Sequence, residues 1–449
     1  MLAWPTMLQN IIAGAQGVVD HALVGHLVGY AGNAAIGVSF QLFLVVMIFV
    51  SSVFTGMGVL VSRAAGAGEH ERVNHITWQA FLAGMGLSVL VLAPLGYFAA
   101  PLLLSLVNAA PDVVAQALPY LRIMFGFSFG MLTFFMLTGA LRSAGDARTP
   151  LMLGILLTVL NIAFNVALIT GLGPFPKLGT AGAAAGVSIA GGIVTVVGVA
   201  LFMSGRTPIH WHRGMSLKPD WLVMRELFHF GLPAGLQGVM VNISGVLLLR
   251  FIGSLPHSAA AQAAYAVGYT ELFSFITWTS VGIMGATAAV AGQNLGAGKP
   301  DRTARAVPIA AGIGMLLAAF FGVLFLAIPR LLLAVFGMSD PDVVRIGVQL
   351  LRFLSVSGLF ITVALAYTGG LQGTGDTRSP FWISLVAQVV VPVGICLALQ
   401  ASGHLTPAGI WSAILAGHVT RSTLSILRFR QEKWRTIRVA SVDAPIPAH

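Results

Sequence analysis

The chain has 449 residues, of which 57% are hydrophobic and only 8% are charged. Because a soluble domain carries about 25% charged residues, this composition excludes a soluble globular protein and favours one that crosses a membrane many times. In a soluble protein the formal net charge of +10 would indicate nucleic-acid binding. In a membrane protein the distribution of the basic residues among the loops indicates the orientation of the chain instead. The single cysteine, Cys396, excludes an internal disulfide and a cysteine metal cluster.

Apolar stretches long enough to span a bilayer as helices, about 20 residues each, fill most of the chain. They predict twelve spans at 2–27, 34–62, 77–100, 118–141, 151–171 and 181–203, and at 228–253, 261–291, 306–328, 347–371, 380–401 and 407–428. We therefore expect an all-α integral membrane protein with an N-lobe (1–203), a cytoplasmic interlobe linker (204–227) and a C-lobe (228–428). The tail of 429–449 lacks apolar periodicity, and we predict that it is disordered.

The two halves are copies of one another. The segment Gly139–Pro150 recurs as Gly369–Pro380 at an offset of 230 residues, and the same offset links Pro111–Val114 to Pro341–Val344. A unit of six spans crosses the membrane an even number of times, so the copies are related by an axis along the membrane normal. Glycine and aspartate in the repeated loops suit turns between helices, which favours a structural interpretation of these loops.

Lysine and arginine residues predict the orientation. Seventeen of them lie in the even-numbered connections and the tail, whereas the odd-numbered connections hold only Lys177, Arg330 and Arg345. Because cytoplasmic loops carry the excess of positive charge, we expect both termini on the cytoplasmic side of a bacterial inner membrane. The basic balance is thus a topology signal, and no nucleic-acid partner is expected.

Asp20 is one of two acidic residues that fall well inside predicted spans. Burying a carboxylate in a membrane costs at least ~2.5 kcal/mol on insertion scales, so such a residue is functional by default. Gln9, Gln16 and Asp20 are spaced seven and four residues apart and share one helix face. We expect Asp20 to titrate or to bind a cation; the alternative is a permanently protonated Asp20 that forms hydrogen bonds between helices.

The fifth span carries a second polar face. Thr158, Asn161 and Asn165 follow an i, i+3, i+7 spacing, which places them on one side of the helix. Their oxygens can hold Asp20 by hydrogen bonds or help to bind a cation, and plain contacts between helices explain them equally well. Asparagine has no charge to titrate, so these residues can support proton coupling but cannot carry it.

Glu271, in the eighth span, is the second intramembrane acid, and it shares a face with Gly268, Phe275 and Trp278. A carboxylate beside aromatic rings favours a lipophilic organic cation, held by charge and by cation–π attraction. The alternative is an ion pair with Arg250, since charges inside membranes usually pair. Four arginines lie close enough to span ends for snorkelling to the interface: Arg122, Arg250, Arg352 and Arg421.

The polar segments carry no hydrolase triad, no metal-ligand cluster and no phosphate-binding loop. We therefore predict no enzyme, no resident metal and no cofactor other than a coupling ion, H⁺ or Na⁺. Two six-helix halves with a few charged groups inside suit alternating access, the mechanism of secondary transporters.

Several stretches, in their order and spacing, match a known family. They are Val19-Asp20 through Val24-Gly25, Ala64–Arg72, the two Gly-Asp loops, Leu160-Asn161 through Gly182–Ala184, and Gly292–Gly298. These stretches are distributed over nearly the whole chain, and through them the sequence resembles the multidrug and toxic compound extrusion (MATE) transporters. The resemblance implies two six-helix lobes forming a V around a cavity that opens alternately to the two sides. It also implies export of lipophilic, often cationic, compounds in exchange for H⁺ or Na⁺.

The resemblance also implies roles for individual residues. Asp20 matches the first-helix acid assigned to cation coupling, Asn161 a polar residue of that site, and Glu271 an acid common in the eighth helix of bacterial members. Asn165 stands where one branch has a second aspartate. Sodium-coupled members of another branch have acids in helices 7 and 10, whereas the corresponding stretches here, around Val241-Asn242 and Gly358–Tyr367, contain none. We therefore expect a coupling site of Asp20, Asn161, Asn165 and Gln16, with Na⁺ possible at Asp20, and a substrate site of Glu271, Phe275 and Trp278.

Three other functions compete with that of a monomeric antiporter of organic compounds. A flippase for a lipid-linked sugar, in the same superfamily, needs a strongly cationic cavity, whereas this chain has few interior arginines. A structural scaffold has no need for intramembrane acids. A channel is disfavoured because nothing resembles a filter or a ring of charges.

Overall fold

A computed structural model of the protein describes residues 3–28, 30–106, 111–212 and 214–443. In its first two helices several side chains, among them that of Asp20, lie outside this description. Contacts divide the chain into two compact units: one runs to Gly235 and includes the chain from Val439 onward, and the other is Leu236–Arg438. The described residues are helical and contain no strand.

Up to Gly235, the first unit holds eight α-helices and the start of a ninth. They are α1 (Ala3–Leu27), α2 (Tyr30–Gly66), α3 (His70–Gly86), α4 (Ala93–Leu106), α5 (Pro111–Gly126), α6 (Ser128–Ser143), α7 (Arg148–Thr170), α8 (Thr180–Met203) and α9 (Trp221–Gly253). A π-helical segment, Leu87–Leu92, joins α3 to α4, and α5 meets α6 at a bend of 51°.

The second unit continues from α9 to the end of α17, followed by a short tail. Its helices are α10 (Ser258–Tyr265), α11 (Ser274–Gly296), α12 (Pro300–Ala327), α13 (Pro329–Val335), α14 (Pro341–Gly373), α15 (Arg378–Ser384), α16 (Val391–Ala401) and α17 (Pro407–Arg430). The segments Ala266–Leu272 and Leu385–Val390 are π-helical, and Lys433–Thr436 forms a 3₁₀ turn. The last helix, α18 (Ala440–Asp443), belongs to the first unit.

Within the described ranges, each of the twelve predicted spans coincides with a helix or with a bent or π-interrupted pair of helices. Eight described helices are long and apolar enough to cross a membrane, and nine if the bent pair α5–α6 is one span. The helices extend beyond several predicted ends; the seventh span begins at Trp221 rather than at 228. The interlobe linker therefore ends earlier than its predicted bounds of 204–227.

The π-helical segment Leu385–Val390 is explained by the proline after it. Pro392 is the second residue of α16, and it has no N–H to donate to the carbonyl four residues earlier. That carbonyl belongs to Gln388, and it accepts a hydrogen bond from the Ser244 hydroxyl of α9 instead. Pro94, the second residue of α4, likewise comes after the π-helical segment Leu87–Leu92.

The repeated loops have the turn geometry that the sequence predicts. Gly145 and Gly375 have positive φ angles of 99° and 94°, which glycine adopts without a steric penalty. Asp146 accepts hydrogen bonds from the backbone N–H groups at the start of α7, and Asp376 does the same at Ser379. In the second copy alone, among the described residues, the aspartate also pairs with Arg428 of α17 at 2.8 Å.

The tail is folded, so the prediction of disorder is wrong for residues 431–443. Trp434 is 1% exposed, donates to the Phe429 carbonyl at 2.9 Å and stacks on the Phe429 ring at 5.1 Å. Further along, the carboxylate of Glu226 accepts hydrogen bonds from the N–H groups of Ala440 and Ser441. Sparse apolar periodicity misled the prediction, because one tryptophan and a few polar contacts anchor this segment.

Candidate functional site

The polar stripe of α1 faces α7 and its neighbours. Arg142, at the end of α6, donates to the side-chain oxygen of Gln9 at 3.3 Å. A Cβ atom added at Gly154 of α7 would meet Gln9 Cγ at 3.3 Å. Two turns further along α1, the Thr158 hydroxyl lies 3.2 Å from Gln16 Oε1 and 3.1 Å from the Gly154 carbonyl. The described part of the stripe is therefore an interface between α1 and α7.

Asn161 and Asn165 continue the polar face of α7, and both are 0% exposed. α7 packs extensively against α8 as well as α1. The side-chain oxygen of Asn165 lies directly over Gly186 of α8, where an added Cβ would overlap it and would lie 3.0 Å from the Asn165 backbone nitrogen. Buried amides need hydrogen-bond partners, and this close packing fixes the direction in which Asn165 presents its oxygen.

Asp20 lies one helical turn after Gln16 on α1, whose backbone continues to Leu27. Its side chain lies outside the described part of the structure, so its predicted role stays a prediction. Among the described residues, no group of three or more His, Cys, Asp or Glu side chains is placed to hold a metal ion.

Glu271 is half-buried and lies in the π-helical segment Ala266–Leu272. The sequence predicted that Gly268, Phe275 and Trp278 share one helix face with Glu271, but in the structure Gly268 lies on a different side from the two aromatic residues. Gly268 is buried against Leu350, whereas Phe275 and Trp278 are 45% and 43% exposed. A π-helical turn adds a residue and rotates the next part of the helix, which explains the separation. Phe275 stacks on Phe321 of α12 at 6.1 Å.

The alternative of an ion pair between Glu271 and Arg250 finds no support. Within the described residues, no basic group lies within 4.0 Å of the Glu271 carboxylate, and Arg250 is exposed at the end of α9. π-helical turns are common at functional sites. Among the described residues the Glu271 carboxylate therefore has no ion-pair partner.

His418 and Arg421 form a second buried polar group, which the sequence did not predict. From the sequence, Arg421 was interpreted as a snorkelling residue. His418 and Arg421 are each 5% exposed on the face of α17 that packs against α14. Helical side chains incline towards the N-terminus of their helix, so Arg421 inclines away from the nearby end of α17 and towards its middle. His418 ends a run of stacked rings formed by Trp411, Tyr265, Tyr269 and Phe273. The i, i+3 spacing of His418 and Arg421 was the available signal.

Two segments of the chain, residues 5–167 and 233–397, match the sequence model of the MatE family. The match covers most of the chain and includes both copies of the repeat. The chain belongs to the MATE family of transporters. It is therefore a transporter and not an enzyme, as the sequence predicted.

Similar proteins support this assignment. The chain is 26% identical over 442 residues to a probable multidrug resistance protein NorM of Thermotoga maritima, covering 96% of this chain and 92% of that relative. It is 30% identical over 441 residues to a protein of the same name from Deinococcus radiodurans, covering 95% and 93%. An outward-facing multidrug resistance MATE transporter of the MOP superfamily has a TM-score of 0.88 at 18% identity, covering 98% and 95%. This likeness confirms the predicted fold class of twelve helices in two six-helix lobes.

The contact between Asn165 and Gly186 can be tested with two matched substitutions in α8. Gly186→Ala places a Cβ against the Asn165 oxygen, and we expect a loss of about 1–3 kcal/mol of stability from overpacking. Gly192→Ala meets nothing within 4 Å and should be neutral or slightly stabilising, because alanine favours the helix. Thermal unfolding midpoints in detergent compare the two; equal midpoints would show that Asn165 does not pack against Gly186.

Proposed function

We propose that this protein exports lipophilic, often cationic, organic compounds in exchange for H⁺, with Na⁺ as the alternative coupling ion. The relatives that match the chain over nearly its whole length carry the name of multidrug resistance proteins. The observation that carries the coupling half of the proposal is the buried polar interface between α1 and α7. The observation that carries the substrate half is the half-buried Glu271, which the exposed rings of Phe275 and Trp278 follow along the same span.

The register of α1 and α7 supports Asp20 as the coupling carboxylate. Gln9 lies against Gly154, and Gln16 lies against Thr158, so the two helices advance in the same direction. One turn beyond Gln16, the position of Asp20 comes level with the stretch of α7 that carries the buried Asn161 and Asn165. The coupling site is thus assembled within the first unit, from one carboxylate and neutral oxygens.

Inside the membrane, the carboxylate of such a site has to carry either a proton or another cation, so one is exchanged for the other. An uncompensated carboxylate at membrane depth costs about 2.5–3.5 kcal/mol, so Asp20 is stable there only with a proton or with a bound cation. Amide groups accept or donate hydrogen bonds as the carboxyl gains or loses its proton. One carboxylate among neutral oxygens also suits Na⁺, which keeps the sodium alternative open.

The second unit offers a recognition surface for the exported compound. Glu271 supplies negative charge without a neighbouring basic group in the described residues, and Phe275 and Trp278 supply exposed aromatic faces. A carboxylate with aromatic rings attracts a lipophilic cation by charge and by cation–π interaction. Exposed aromatic surface alone still binds neutral lipophilic compounds, so charge sets preference rather than an absolute requirement.

The distribution of basic residues completes the proposal. Both termini are cytoplasmic and the protein lies in a bacterial inner membrane, because the connections rich in lysine and arginine are the even-numbered ones. We take the transporting unit to be a monomer, since the coupling site and the recognition surface both come from one chain. Compounds then move out of the cell as protons move in.

The coupling role of Asp20 is tested in proteoliposomes loaded with a fluorescent organic cation. A pH gradient and a Na⁺ gradient are imposed separately. Under the pH gradient, Asp20→Asn should reduce transport to the rate of protein-free liposomes, because asparagine cannot exchange a proton. Asp112→Asn, the same change at an exposed position in the first turn of α5, should transport like the wild type.

Each outcome of this experiment decides between mechanisms. Transport driven only by Na⁺ would make Asp20 a ligand in a site of neutral oxygens. Normal transport by Asp20→Asn would remove this residue from the mechanism. Absence of transport by the wild type under both gradients would favour the flippase for a lipid-linked sugar.

The substrate role of Glu271 is tested with a pair of compounds of similar size, one cationic and one neutral. Glu271→Gln should weaken transport of the cation about three- to tenfold, the range of a cation–π and charge interaction, and leave the neutral compound nearly unchanged. Phe275→Leu should weaken both compounds. An equal loss of both compounds in Glu271→Gln would assign this residue a structural role.

A further inference from the structure

A cavity of about 630 Å³ lies in the second unit, beside α13 and the first turns of α14. Five of its eight lining residues are polar or basic, and three of these five are arginines: Arg330, Arg345, Arg352, Gln349 and Ser339. Three guanidinium groups around one cavity make a site for an anion, because arginine recognises phosphate and carboxylate groups with paired N–H donors.

The sequence of α14 explains how these side chains come together. Gln349 and Arg352 follow Arg345 by four and seven residues, so the three side chains share one face of the helix. Helical side chains incline towards the N-terminus, and for α14 that end is the membrane surface where α13 begins. Arg330, in the first turn of α13, meets this face from the other side of the cavity.

The charge of the cavity is only partly neutralised. Arg345 pairs with Asp342 at 3.0 Å, and both side chains are largely exposed. Asp340 is occupied in accepting hydrogen bonds from the backbone N–H groups of Asp342 and Val343. Among the described residues, Arg330 and Arg352 form no ion pair. The guanidinium groups of Arg330 and Arg352 are therefore the ones that remain for a ligand.

These arginines are not required by the fold, as the other copy of the repeat shows. At the offset of 230 residues, Arg330 corresponds to Ala100, and Arg345 to Ala115. Only Arg352 has a basic counterpart, Arg122, and its guanidinium lies over the Tyr97 ring at 4.9 Å. The cluster is thus specific to the second unit.

The cluster also runs against the charge distribution of the whole chain. Arg330 and Arg345 are two of the three basic residues in the odd-numbered connections, where such residues are disfavoured. Apolar residues surround them: Leu331 and Val335 of α13 are 60% and 74% exposed, whereas Leu333 is fully buried. A short helix with one buried and one exposed apolar side fits the boundary between headgroups and acyl chains.

We propose that this cavity binds the phosphate of an anionic phospholipid, whose acyl chains cover the exposed apolar residues of α12 and α13. A lipid satisfies both observations at once, because its headgroup carries the negative charge and its chains cover the apolar surface. α12 carries a lipid-facing stripe of exposed side chains that ends one turn before Arg330: Leu316, Phe320, Val323 and Leu326. With the orientation argued under the proposed function, the bound lipid belongs to the outer leaflet.

The experiment measures lipid binding to the purified full-length protein in detergent, by titration with dioleoyl-phosphatidylglycerol in mixed micelles and native mass spectrometry. The double variant Arg330→Gln/Arg352→Gln should bind this lipid about 30-fold more weakly, as expected for two surface arginines. Arg250→Gln, an exposed arginine outside the cavity at the end of α9, should bind like the wild type. Dioleoyl-phosphatidylcholine should bind weakly to all three proteins.

Three results would overturn the proposal. Equal loss of binding in Arg250→Gln would show that general surface charge is responsible. Equal binding of the two lipids would exclude recognition of net negative charge. Displacement of phosphatidylglycerol by millimolar inorganic phosphate would assign the cavity to a soluble anion. No ion gradient is used, so this test is independent of whether transport is coupled to H⁺ or Na⁺, or occurs at all.

Discussion

A polar side chain inside a bilayer has to find its partners within the protein, and this constraint organises the first unit. Thr158 donates to Gln16 across the α1–α7 interface, and Gln9 accepts a hydrogen bond from Arg142 at the end of α6. Asn165 is seated in the space that Gly186 leaves open on α8. Hydrogen-bonded side chains polarise one another in a low-dielectric interior, so a change in the protonation of one carboxyl alters the hydrogen bonding of its partners. That is the physical basis of our proposal that this unit carries the ion coupling.

Much of the fold can be predicted from the sequence alone. A membrane-spanning helix is recognised by its length and apolar composition alone. The twelve spans and the repeat can therefore be predicted without knowledge of tertiary contacts. Turn chemistry is equally local, and Gly145 and Gly375 adopt the left-handed conformation that their loops predict. The spacing of Asn161 and Asn165 predicts one shared face of α7, and both side chains are buried.

Other features depend on partners distant in sequence, and the sequence does not reveal them. The π-helical turn before Pro392 is stabilised by Ser244, which precedes it by more than a hundred residues. Trp434 orders a tail whose composition predicts disorder, because a single large ring can bury enough surface when a matching site exists. Arg421 shows the same limit, since only the packing of α17 on α14 decides which of its faces is buried.

The central claim is that binding of an organic cation expels a proton from Asp20, and proton release on binding measures this most directly. A fluorescent organic cation is added to purified protein in weakly buffered, sodium-free detergent solution containing a pH indicator. The account predicts that the wild type releases protons as the cation binds, and that Asp20→Asn binds the cation without releasing any. Binding to the wild type without proton release, or equal release from the variant, would contradict the account.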